Sequence, residues 1–178
     1  MAIDRYSGDY RILETVDAKG RIHSSTEYIG REYVFTAGKK RAASAARAMA
    51  VLCAVCWAGF LLALLPESSA MRTLYAALPC AFTALPLWFM SSAALTALRV
   101  KEPFVHRDAD RLNLRLPVAC VFEIVLTAAA LIGEILALLL AKNTPLFGDW
   151  CFLAGNLTSL VCALFCRKRG KDTAARAR

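Results

Sequence analysis

Charge is missing from four long stretches of this chain. Between Ala48 and Leu65, Thr73 and Leu98, Leu116 and Ala141, and Trp150 and Cys166 there is no Lys, Arg or Asp, and the only acidic residues are Glu123 and Glu134. A soluble domain interleaves polar residues with its core positions, so runs of this length exclude an ordinary water-soluble fold. Crossing about 30 Å of hydrocarbon takes roughly 20 apolar residues in a helix, which satisfies its backbone groups internally. Each stretch is read as a membrane span.

Cysteine is missing from the connecting segments. All seven (Cys53, Cys56, Cys80, Cys120, Cys151, Cys162 and Cys166) lie within apolar stretches, and the count is odd. That placement excludes a disulfide framework and leaves small hydrophobes in a bundle. Cys53-Ala54-Val55-Cys56 has redox spacing, but it falls near mid-span and no second cysteine pair lies outside the spans, so it is read as structural. The first 38 residues lack an apolar stretch followed by a small-residue cleavage site, and the first hydrophobic segment is expected to be retained.

Catalytic signatures are also missing. There is no G-x-S-x-G, no H-E-x-x-H and no phosphate-binding glycine loop, and His23 and His106 stand alone without a second ligand at metal spacing. No catalytic residue, cofactor or metal is assigned. Both histidines are expected on the solvated surface.

What is present is 178 residues, 58% of them hydrophobic, with a net charge of +8. Of 22 Lys and Arg residues, nine fall in residues 1–47, five in 99–115 and six in 167–178; only Arg72 and Lys142 lie in the two short connections between spans. By the positive-inside rule this puts both termini and the 99–115 loop in the cytoplasm, and it accounts for the charge without nucleic acid. The predicted fold is an all-α, multi-pass cell-membrane protein: a bundle of four transmembrane helices made of two antiparallel hairpins, with a small cytoplasmic N-terminal β-hairpin. Its parts are a cytoplasmic segment (1–38), a basic juxtamembrane linker (39–47), the transmembrane domain (48–166) and a basic tail (167–178). The tail is expected to be disordered and, with the basic N-terminal linker, drawn to anionic lipid headgroups.

Within the bundle, Pro79 and Pro86 predict kinks in the second span. Gly59, Gly133 and Gly155 predict close helix approach. In the N-terminal segment, Asp17-Ala18-Lys19-Gly20 is turn chemistry. A bulge at Gly20-Arg21 pairs Val16 with Ile22, and the same register sets Ile12 opposite Thr26, Tyr10 opposite Tyr28 and Arg11 opposite Glu27. A lone two-stranded hairpin is marginal in water, so it is expected to lean on headgroups, on the 99–115 loop or on another protein.

Glu123 and Glu134 are the candidate functional residues, because a carboxyl group in hydrocarbon is costly. Eleven residues apart, they share one face of the third helix, about 16 Å apart along its axis. Depth matching sets Glu134 level with Asn156, and Glu123 level with Ser91 and Ser92, with Arg167 or Lys168 in reach. The composition predicts a non-enzymatic component that assembles with itself or with a larger membrane complex through its hairpin. The alternative is a small ion-coupled transporter or channel subunit centred on the two carboxyls.

Overall fold

The computed structural model describes residues 6–16, 22–64, 67–141 and 145–178. It is mostly helical, with four helices or helix pairs long and apolar enough to cross a bilayer. Strands β1 (Tyr10–Val16), β2 (Ile22–Tyr28) and β3 (Tyr33–Phe35) precede helix α1 (Lys39–Leu64). Gly38 opens α1 at φ +79°, a left-handed value that suits glycine, and its carbonyl accepts the Ala42 N–H. The Ala-rich basic stretch 39–47, read as a linker, is helical and continuous with the helix of the first predicted span.

The second predicted span is two helices, α2 (Leu74–Phe82) and α3 (Ala84–Arg99). Pro86 has no N–H to offer the Phe82 carbonyl, and the helix breaks in the turn before it, at Thr83. Thr83 Oγ1 donates to the Cys80 carbonyl at 2.6 Å across that break. Pro79, by contrast, is carried inside α2.

The helix of the third predicted span starts earlier than its hydropathy. Helix α4 (His106–Asp110) runs through a π-helical segment at Arg111–Arg115 into α5 (Leu116–Ala141), without interruption. Much of the expected 99–115 loop is thus helix. Ala109, Leu112 and Leu116 are buried at helical spacing, while charged residues take the other faces. Such an amphipathic turn is invisible to a search for uniformly apolar residues.

Helix α6 (Phe147–Gly170) passes beyond the predicted end of the fourth span, and β4 (Ala175–Ala177) follows. The tail expected to be disordered instead pairs antiparallel with β3, Tyr33 opposite Ala177 and Phe35 opposite Ala175. Asn113, in the π-helical segment, grips Ala175 twice: its Nδ2 donates to the carbonyl and its Oδ1 accepts the N–H, both at 2.8 Å. On the other side of β3, Phe104 exchanges backbone hydrogen bonds with Tyr33, and Glu102 accepts the Phe35 N–H at 2.7 Å.

The hairpin of β1 and β2 has the predicted register, from Tyr10 opposite Tyr28 to Val16 opposite Ile22. Its turn, residues 17–20, lies outside the described residues. In the bundle, α1 packs most extensively on α6. There Gly59 and Gly155 face each other so closely that a Cβ on Gly59 would sit 2.8 Å from the Gly155 carbonyl oxygen. Gly133 packs on Ala76 of α2 rather than on α6.

Candidate functional site

Both carboxyl residues of α5 point into the bundle. Glu123 is 1% exposed and Glu134 is fully buried. Their common face follows from an eleven-residue separation, three turns of helix plus a small residual rotation. Glu134 lies beside Asp149, at the start of α6. Asp149 also accepts the Ser69 N–H at 2.6 Å and the Leu146 N–H at 2.7 Å, so it ties both short connections together at that end. Asn156, the partner expected for Glu134 from depth, donates to the Phe152 carbonyl of its own helix and contacts Cys80.

Glu123 has no such shell. Neither carboxyl oxygen has a hydrogen-bond partner among the described residues. Ser91 Oγ donates to the Leu87 carbonyl at 2.8 Å and accepts the Trp57 indole N–H at 3.0 Å. Ser92 Oγ donates to the Phe89 carbonyl at 3.3 Å. The polar groups expected beside Glu123 therefore spend their bonds on their own helix and on Trp57. The electrostatic neighbours of Glu123 are instead the thiols of Cys53, Cys56, Cys80 and Cys120. The Cys56 thiol donates to the Ser159 carbonyl at 3.7 Å, and the Cys166 thiol faces the Met49 carbonyl at 4.0 Å. All seven cysteines are buried free thiols.

A third assembly lies where the hairpin meets α4. His106 is its centre: Nδ1 lies 3.2 Å from Asp9 and Nε2 3.5 Å from Asp110. The imidazole stacks on Tyr33 and meets the Tyr6 ring edge-on, with both centroid separations 5.5 Å. The Tyr6 hydroxyl donates to Asp110 at 2.8 Å. The His106 N–H donates to the Tyr28 hydroxyl, which in turn donates to the Arg31 carbonyl. Burial raises the Tyr28 pKa, opposed by that donated N–H. The contacts gather at the open end of the hairpin. Further out, Ile12 is 69% exposed and Leu13, on the opposite face, is 36% exposed.

No protein-family model, curated protein or solved structure matches this chain.

The residues singled out in the sequence thus fall into separate places. Glu134 belongs to a polar knot at one end of the bundle, Glu123 to a thiol-lined interior, and Ser91 and Ser92 to the α3 backbone. Sequence reasoning missed the His106 seat. The available signal was the helical spacing of Ala109, Leu112 and Leu116, which extends the helix back to His106 and brings it under the N-terminal tyrosines. Among the described residues no group of three His, Cys, Asp or Glu side chains is arranged to hold a metal ion.

Proposed function

We propose that this chain is a multi-pass membrane protein with both termini in the cytoplasm, and that it acts as a non-enzymatic assembly component whose hairpin, residues 10–28, docks a partner protein. The membrane reading is supported by the outward faces of the helices, where large side chains such as Trp88 at 65%, Leu139 at 69% and Phe122 at 59% would stand in water. The observation that carries the docking role is the hairpin's mounting. It is clamped at its base and bears exposed apolar residues on both faces, and no further strand pairs with either edge among the described residues. Unpaired edges are templates for strand addition.

The test is the size of the complex extracted gently from membranes by native electrophoresis. Deleting residues 6–30, or changing Ile12→Asp, is expected to shift the chain to a smaller species. Ile12 is exposed, so that substitution changes folding stability by no more than about 0.5 kcal/mol. An unchanged complex in both variants would overturn the docking reading.

A second reading is favoured by the unpartnered Glu123 carboxyl, since an ionisable group buried in hydrocarbon marks proton and cation paths. Glu123→Gln keeps the shape and removes the titrating proton. Loss of ion-coupled flux or of growth at unchanged thermal stability would move the function to this site.

A further inference from the structure

An open-sided groove of about 620 Å3 runs between the second and third spans, lined by Phe82, Leu85, Pro86 and Phe89 on one side and by Val118 and Phe122, among others, on the other. It is apolar from end to end except for Arg115. On the third span it extends from Arg115 to Leu126, eleven residues or about 16 Å of helix. Half of a hydrocarbon core about 30 Å thick is roughly 15 Å. The groove therefore has the length of one leaflet's acyl chains, with a guanidinium at its headgroup end.

One turn beyond Phe89 a second cavity, about 590 Å3, opens between Ser92 and the start of the third span. Arg99, Lys101 and Arg111 line it, with Asp108 as the one acidic residue. None of these three cations, nor Arg115, forms an ion pair among the described residues. Arg111 donates only a long bond, 3.4 Å, to Thr96 Oγ1. Arg111 and Arg115 begin and end the π-helical segment, a wider turn that recurs at functional sites. The helix break at Thr83 lies one turn before Pro86, whose ring lines the groove.

We propose that these two cavities are one site for an anionic glycerophospholipid, its acyl chains in the groove and its phosphate among Arg99, Lys101, Arg111 and Arg115. Four cations with one carboxylate match a negatively charged headgroup, and basic pockets between helices at the cytoplasmic surface bind such lipids. This site is separate from the basic termini. It rests on the membrane-spanning reading above but not on the hairpin's partner.

The test uses the full-length chain, washed free of lipid in detergent and exposed to equimolar dioleoyl phosphatidylglycerol and dioleoyl phosphatidylcholine before native mass spectrometry. Preferential retention of phosphatidylglycerol is expected. Arg111→Gln with Arg115→Gln should lower that preference about fivefold for each charge removed. Arg176→Gln, an exposed basic change elsewhere, should leave it intact. Val118→Trp fills the groove without touching a cation and should also lower retention, whereas glycerol 3-phosphate alone should not bind. Equal retention of the two lipids by the unmodified chain would sink the proposal, as would an equal effect of Arg176→Gln or no effect of Val118→Trp. If the glutamine pair fails to fold, the unmodified chain's selectivity and the Val118→Trp result still decide. A chain that is not membrane-embedded would retain neither lipid, which separates failure of the membrane reading from failure of the site.

Discussion

Gly155 packs so closely on α1 that an added methyl group would overlap the Gly59 carbonyl oxygen, which belongs to the backbone and cannot swing aside. Gly155→Ala is therefore expected to force α1 and α6 apart, at a cost of about 1–3 kcal/mol, read as a lower thermal midpoint in detergent. Gly8→Ala is the matched control, because a Cβ there meets nothing within 4 Å. Glu123 is expected to behave in the opposite way. Its buried, unpartnered carboxyl is a polar group desolvated without return, so Glu123→Met, similar in length and apolar, should stabilise the chain by about 1–3 kcal/mol. A lower midpoint for that variant would show that the carboxyl holds the bundle together. Both residues were legible in the sequence as exceptions, a small residue and a charge in an apolar run. Their neighbours were not, because depth matching fixes a level along the helix and leaves the rotation open. That is why Gly133 meets Ala76, and Asn156 bonds within its own helix.

At the scale of elements, the hairpin was legible because its evidence is local: turn residues at 17–20 and a register in which an aromatic pair and an opposite-charge pair coincide. The pair of β3 and β4 was not legible, since its strands are three residues each and about 140 residues apart in sequence. Nothing in Ala175-Arg176-Ala177 signals a strand. It is made one by Asn113 and by the partner β3. Removal of residues 174–178 is accordingly expected to speed amide exchange at Tyr33–Phe35 while exchange in α1 and α6 stays slow. His106 plays the corresponding part for the hairpin. A two-stranded ribbon is marginal by itself, and His106→Ala removes the ring that Tyr6 and Tyr33 pack on, together with its contacts to Asp9 and Asp110. Faster exchange across residues 10–28, with the helices unaffected, is the expected signature. Unchanged exchange there would mean that the strands hold themselves.

For the whole molecule, two independent observations bear on orientation. The β3–β4 pairing brings the segment before α1 and the segment after α6 together at one end of the bundle, where Phe104 also joins β3. At the other end the two short connections touch, through Ser69 and Asp149. Under the proposed membrane reading this geometry requires an even number of crossings and puts the termini and the segment near residue 106 on one side. It does not say which side. The proposed side rests on charge: 20 of 22 Lys and Arg residues fall in the sequence outside the two short connections, and basic residues near span ends tend to be retained in the cytoplasm. Reporter fusions after residues 70 and 145 are therefore expected to read as external, and fusions at either terminus or near residue 106 as cytoplasmic. The outcomes separate the two observations. If every fusion reads with the opposite sign, the strand pairing stands and the charge rule fails for this chain. If only the carboxyl terminus reads as external, a bilayer would lie between β3 and β4, and the pairing of Tyr33–Phe35 with Ala175–Ala177 would have to be given up along with the four-span bundle.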